Sequence, residues 1–234
     1  AVGGTSLAVG SSGNRVFETG WQTGKSTWTS GPTWSEPQYL YGSGGGTSYV
    51  FPQPDYQADV VPAAMASDFR DGSAHRDRAM RTIPDISVVG DPTTGFLVGQ
   101  TQTFSDGVYY DESRTGGTSL SCPLLAGMMA LAEQARGHPI GFANPALYDL
   151  YGSNAIRDVR STSDELASAG LGAADSAAAR VEFANYENAA DGYLYSLRYL
   201  GWDAPLTIHT VTGYDTVTGM GSPVGWRLIA ALRH

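Results

Sequence analysis

The chain holds one cysteine in 234 residues, Cys122, so an internal disulfide is excluded and packing must supply stability. Cys122 lies three residues after Ser119 at the start of an apolar stretch and is expected as a buried structural thiol; a bridge to another chain stays open. Basic residues are few: 14 Lys and Arg against 23 Asp and Glu, a net charge of −9. That balance argues against nucleic acid and anionic membranes as partners. It suits an acidic medium, where carboxylates protonate and self-repulsion falls. No apolar run approaches the length of a membrane span, and no segment repeats. None of the four histidines has a motif around it, so a Ser-His-Asp triad within the chain is not expected. The sequence opens at Ala1 with neither Met nor a signal segment, and is read as processed from a precursor and extracellular.

What is present centres on Thr115-Gly116-Gly117-Thr118-Ser119-Leu120-Ser121-Cys122-Pro123. Glycines bring a tight turn, and a helix pattern runs on from Leu124 to Ala135. Ser119 falls at the helix start, with Pro123 expected in the first turn, where a missing N–H does no harm. Free backbone N–H groups and a favourable dipole there suit a nucleophile and half an oxyanion hole. A bare Gly-Thr-Ser is also compatible with a helix cap.

Upstream, Ala1–Val9 reads as a strand broken by glycines, and Val16–Trp21 as another. Residues 22–48 are rich in Gly, Ser, Thr and Trp and end in a triple glycine, Gly44-Gly45-Gly46. Residues 66–81, with Asp68, Arg70, Asp71, His75, Arg76, Asp77 and Arg78, read as a solvated mixed-charge loop. Ile86–Val89 is an expected buried strand, and Phe96–Gln100 with Gly107–Asp111 an expected hairpin. Downstream, Asn144 is the expected cap of a short helix with Pro145 at its first position. Tyr193–Leu200 and Leu206–Thr210 look like paired strands, and Val224–Leu232 like a closing helix. Interleaved strands and helices indicate an α/β fold.

Gly117-Thr118-Ser119-x-Ser121-x-Pro123 resembles the nucleophile motif of the sedolisins, the serine-carboxyl peptidases, and is related to a subtilisin string. Further segments resemble sedolisins, including the kumamolisin branch, in the same order. They are Ala1-Val2-Gly3-Gly4-Thr5, the triple-glycine loop continuing to Phe51 and Gln57, Pro84-Asp85, Asp91-Pro92-x-x-Gly95, Asn144-Pro145-x-Leu147-Tyr148, and Gly213-Tyr214-Asp215 through Pro223. The triple-glycine segment is therefore expected to be ordered. The resemblance implies a subtilisin-like parallel sheet with helices on both faces. It implies peptide hydrolysis at acid pH, with a Glu as general base, an Asp supporting it, and a protonated Asp in the oxyanion hole.

In the family those three carboxylates precede the Ala-Val-Gly-Gly-Thr segment. Residues 1–234 are therefore expected to be the C-terminal part of one catalytic domain, with an insertion at 160–209. A separate N-terminal chain is expected to carry the Glu and both Asp residues. Glu187 and Asp191 share the Glu-x-x-x-Asp spacing but follow the serine and are read as an exposed turn. Asp85 is expected to hydrogen-bond at a strand entry; Asp106, Asp111 and Glu112 are expected at the surface. The resemblance also implies one calcium ion at Asp158 and Asp215, with backbone carbonyls of Val159, Val211 and Gly213. Substrates would be peptides or proteins, cut by endopeptidase or tripeptidyl-peptidase action. Competing readings are a subtilisin-like protease fragment and a non-catalytic binding fragment.

Overall fold

The computed structural model describes residues 1–28, 33–67, 78–171, 179–185, 194–202 and 206–233. The chain begins with strands β1 (Val2–Val9), β2 (Arg15–Gly20), β3 (Gln22–Thr27), β4 (Gln38–Gly42) and β5 (Gly46–Pro52). A short helix α1 (Ala63–Ala66) precedes β6 (Met80–Ile83), β7 (Ile86–Val89), β8 (Phe96–Phe104) and β9 (Gly107–Thr115). Then come α2 (Thr118–Arg136), α3 (Asn144–Tyr148), β10 (Ile156–Arg157) and α4 (Thr162–Ser168). The chain closes with β11 (Arg180–Asn185), β12 (Leu194–Tyr199), β13 (Ser222–Pro223) and α5 (Gly225–Leu232).

The sheet that positions the serine has the order β2-β1-β7. β1 runs unbroken, parallel to β7 from Val2 opposite Ile86 to Thr5 opposite Val89. Its other edge pairs antiparallel with β2. Its glycines serve close packing: a Cβ on Gly3 would stand 2.4 Å from Ser87 Oγ, and one on Gly4 2.5 Å from the Trp21 ring. All four β7 residues are buried, as their β-branched run requires. Leu125 and Ala132 of α2, Leu228 and Leu232 of α5, Leu147, Tyr148, Ile86 and Val88 share the main core.

The architecture is mixed α/β, but parallel pairing among the described strands is confined to β1 and β7. The other pairs are antiparallel, in small sheets. Within the stretch rich in Gly, Ser, Thr and Trp, β3 and β4 join β11 and β12 in a four-stranded sheet, β11-β12-β3-β4. This corrects the expected pairing of 193–200 with 206–210. β12 takes β3 as its partner, from Ser196 opposite Thr27 to Tyr199 opposite Gly24. Residues 206–210 form no strand, and Gln22 Nε2 instead donates to Ile208 O at 2.8 Å. The charged residues 68–77 and the pair Glu187 and Asp191 lie outside the described residues.

Candidate active site

The turn before α2 fits its surroundings because Gly116 and Gly117 lack side chains. Gly117 has φ +86, a region costly for other residues. A Cβ on Gly116 would lie 2.5 Å from Pro92 N and 2.6 Å from Gly90 O. Gly117 N donates to Gly90 O at 2.5 Å. Below the turn, Ser121 is fully buried, and its hydroxyl reaches Val88 O and Val89 O, each at 3.1 Å. The start of α2 is thereby bolted to the end of β7.

Ser119 is the second residue of α2 and is exposed. It does not cap the helix: Gly117 holds the N-cap position, with no side-chain cap bond. Among the described residues no side chain hydrogen-bonds to the Ser119 hydroxyl. The Leu120 and Ser121 N–H groups are taken by Gly117 O. That leaves the Thr118 and Ser119 N–H groups as the open donors of this helix end. Pro123 is not in the first turn, as expected, but is the sixth residue of the helix. Its missing N–H would have bonded the Ser119 carbonyl four residues earlier, so that carbonyl has no helical partner. Cys122 corrects another expectation: it is exposed. It follows Ser119 by three positions and shares the outward side of α2, while Leu125 and Ala132 turn to the core.

Asp85 is the hydrogen-bonding residue expected at the entry to β7. It is 1% exposed and takes Arg81 Nη2 at 2.7 Å and the Ala1 amino group on Oδ2. Tyr148 OH at 2.9 Å donates to Oδ1. Burial pushes this carboxyl up, but Arg81 and the Ala1 amino group outweigh burial and hold it below its ordinary 3.8. Gln57 completes the network, with Nε2 on Thr82 O and Tyr148 OH, both at 2.7 Å. Asp106, Asp111 and Glu112 are exposed on the β8–β9 hairpin. Asp91 opens the Asp91-Pro92-x-x-Gly95 segment. It is fully buried, accepting Ser6 Oγ at 2.7 Å and Thr23 Oγ1 at 2.8 Å on Oδ2, and Thr93 N at 2.8 Å on Oδ1.

The residues expected to hold calcium share one corner. Asp158 Oδ2 accepts Gly213 N at 2.9 Å. Asp158 Oδ1 is buried without a hydrogen-bond partner. Such an orphan oxygen is what a hard cation takes. Asp215 is fully buried and differently employed. Its Oδ1 accepts Val217 N at 2.8 Å and Thr218 N at 2.7 Å. Its Oδ2 accepts Val211 N at 3.2 Å and Thr218 Oγ1 at 3.0 Å. Burial outweighs these donors and pushes the Asp215 carboxyl up to about 6. Asp215 thus braces the turn that bears Val211 and Gly213. Among the described residues no cluster of three or more His, Cys, Asp or Glu could hold a metal, so a site at this corner would need backbone carbonyls to complete it. Cavities of about 430 and 490 Å³ flank the triple-glycine loop, and Ser119 lines neither.

An exposed serine on a glycine turn, at the first N–H groups of a long helix, is an arrangement that acyl transfer can use. Comparison with known proteins narrows the class. No protein-family model matches the chain. Kumamolisin of Bacillus sp. (strain MN-32) is 30% identical over 234 residues, covering 99% of this chain and 30% of kumamolisin. Tripeptidyl-peptidase 1 of Rattus norvegicus is 33% identical over 118 residues, covering 48% of this chain and 19% of that protein. The solved structure of Pseudomonas sedolisin, a serine-carboxyl proteinase complexed with two molecules of pseudo-iodotyrostatin, superposes with a TM-score of 0.58 at 24% identity. That superposition covers 100% of this chain and 45% of the sedolisin chain. This chain is a relative of the sedolisins, the serine-carboxyl peptidases. It spans about a third of the length of kumamolisin.

Proposed function

We propose that these residues supply the nucleophile of an acid-acting serine-carboxyl peptidase that cleaves peptide bonds through an acyl-enzyme on Ser119. One observation carries the reading: Ser119 is exposed at a helix start whose geometry Gly116, Gly117 and Ser121 lock to β7. Ser119 Oγ would attack the scissile carbonyl, forming the C–O bond. The Ser119 N–H, already pointed outward by the helix, would donate to the developing oxyanion. A serine hydroxyl without a base is a poor nucleophile, and no described carboxylate reaches it. The general-base Glu, its supporting Asp and the oxyanion Asp therefore come from outside the described residues, on an N-terminal chain of the same precursor.

A carboxylate base sets the acid working range, since it must be ionised while the oxyanion Asp stays protonated. Action on extracellular peptides or proteins, as endopeptidase or tripeptidyl-peptidase, is part of the same reading. Asp158, with the carbonyls of Val159, Val211 and Gly213, would hold one calcium ion, and Asp215 would hold their turn in shape. The ion would neutralise the orphan Asp158 oxygen. The test is reaction with a peptide aldehyde and with its matched alcohol. The aldehyde can add Ser119 O–H across its carbonyl to form a hemiacetal; the alcohol cannot. Preference for the aldehyde, abolished by Ser119→Ala, supports the reading, and equal affinity for the two sinks it.

A further inference from the structure

We propose that Asp91 is a positioning residue for Ser119, holding the nucleophile turn in its reactive geometry through the loop from Gly90 to Thr93. The inference rests on the peptidase reading above. Asp91 lies 28 residues before Ser119 in the sequence, and no charged partner pairs with it among the described ion pairs. Its carboxylate is fully buried and spans three elements. Oδ2 gathers Ser6 Oγ from β1 and Thr23 Oγ1 from β3, at 2.7 and 2.8 Å. Oδ1 takes the backbone N–H of Thr93 at 2.8 Å, closing a tight turn on itself. The Gly90 and Asp91 N–H groups both rest on Thr5 O, at 2.9 and 3.1 Å. Every freedom of the loop is thus removed from below.

The loop is also the surface on which the nucleophile turn sits. Gly90 O receives Gly117 N. Gly116 packs so tightly on Gly90 O and Pro92 that a methyl group would not fit. Gly95 comes equally close to the Thr115 carbonyl, where a Cβ would stand at 2.1 Å. A shift of the 90–93 loop therefore moves Gly116 and Gly117, and with them the first turn of α2. Loosening it leaves the substrate's binding contacts in place but misaligns Ser119 Oγ, and displacements on the order of 1 Å cost about a hundredfold in rate.

The experiment uses the complete active protein and compares wild type with Asp91→Asn, nearly the same shape but one acceptor oxygen fewer. Measured are kcat and KM on a short chromogenic peptide, and the inhibition constants of a peptide aldehyde and its matched alcohol. A positioning role predicts kcat down by about tenfold or more, with a parallel loss of aldehyde affinity. KM and alcohol affinity should stay within about twofold, because neither needs the serine placed. Asp111→Asn, on the exposed hairpin and nearer in sequence, should change none of the four. If Asp91→Asn leaves kcat and aldehyde affinity intact, the inference fails. It fails too if aldehyde and alcohol weaken together, since that marks a generally loosened cleft. Should Asp91→Asn not fold, Thr23→Val removes one donor to the same carboxylate and should give a smaller loss in the same two quantities; no loss overturns the proposal. A wild type that does not distinguish aldehyde from alcohol would instead sink the peptidase reading.

Discussion

Asp91 and Ser119 sit at the two ends of one hydrogen-bonded path and are opposites. Asp91 is wholly buried, with both carboxylate oxygens accepting hydrogen bonds, three in all. Ser119 is exposed, and no side chain among the described residues bonds its hydroxyl. The same contrast separates the frame around β1 and β7 from the outward face of α2. In the frame Asp85, Gln57 and Tyr148 satisfy one another, as buried polar groups must. On the outward face Cys122, Ala126, Gly127, Ala130 and Leu131 are uncovered. The difference teaches where side chains are fully committed to the fold and where one is left free of it: the frame is closed on itself, and the Ser119 hydroxyl is open.

The sharpest way to break the comparison is at its open end. Ser119→Ala should lower kcat of the complete enzyme by about 10⁴-fold or more, because catalytic groups acting as a unit fail together. Peptide turnover assayed at about pH 4 within tenfold of wild type would show that another serine does the work. The 234-residue chain alone should be inactive by the same argument. Native and denaturing electrophoresis of the natural protein, with sequencing of each band, should reveal a second chain bearing a Glu-x-x-x-Asp pair. Unaided peptide hydrolysis by the isolated 234-residue chain would contradict this.

At the closed end, Gln57→Leu should be severe for stability and leave Ser119 chemistry intact. It strands Thr82 N and Thr82 O, bonded to the Gln57 side chain at 3.1 and 2.7 Å, and takes from Tyr148 OH the donor it accepts, leaving its bond to Asp85. Leaving such groups buried and unpaired costs on the order of 1–3 kcal/mol each. A total of about 3 kcal/mol corresponds to a Tm drop of about 6–12 °C for a domain of this size. Calorimetry showing less than about 2 °C would mean that water or a neighbouring side chain fills the gap.

Much of this contrast could be read from the residues, and the reasons for the rest are physical. The strand Ile86–Val89 and the helix after Pro123 declare themselves by β-branched and apolar periodicity. Gly116 and Gly117 signal a turn. The closing helix falls one residue later than expected, at Gly225. Asn144 was expected to cap α3, but its Nδ2 donates to Tyr56 OH at 3.2 Å and Ala143 holds the N-cap position. A local motif cannot show a tertiary partner 88 residues away. The same limit hid Asp91, whose hydroxyl partners are 85 and 68 residues away. Strand pairing failed at 206–210 because an apolar alternation does not say which edge is free, and β3 already occupied that side of β12. Cys122 was misplaced for a related reason. Which face of an apolar helix is covered depends on what packs there, and small residues suit both faces.

The corner of Asp158 and Asp215 lies between the two regimes, since Asp215 is satisfied and Asp158 Oδ1, the proposed calcium ligand, is not. If Asp158 Oδ1 takes the ion, calcium at a hundredfold excess over its Kd adds about 2.7 kcal/mol of stability. Chelation should then lower Tm, and Asp158→Asn should abolish the response. Asp215→Asn should also destabilise, but in chelator as well, because its four donors in the turn need no metal. An unchanged Tm after complete metal removal, confirmed by elemental analysis, would exclude the site and leave Asp158 as a strained acceptor.

The smallest expected effect concerns pH and isolates the Arg81 contact within the frame. Asp85 has its folded pKa held below 3.8, with burial opposing and Arg81 and the Ala1 amino group prevailing. A depressed carboxyl contributes stability that is fully present above its unfolded pKa. That contribution is lost as pH falls through the folded value, here below about pH 4. An acid peptidase working at about pH 4 would sit at the upper edge of this window, its frame intact and its base still partly ionised. Arg81→Met removes the guanidinium at 2.7 Å from Asp85 Oδ2. The variant should be less stable at pH 6, by about 1–3 kcal/mol for a charge-assisted hydrogen bond. It should also lose less stability than wild type between pH 4 and pH 2.5, because Asp85 then protonates at a higher pH. Denaturant unfolding at four or five pH values measures both slopes. Parallel curves for the two proteins would mean that Arg81 does not hold the Asp85 carboxylate ionised, and that Tyr148 and Gln57 stabilise the frame whatever its charge.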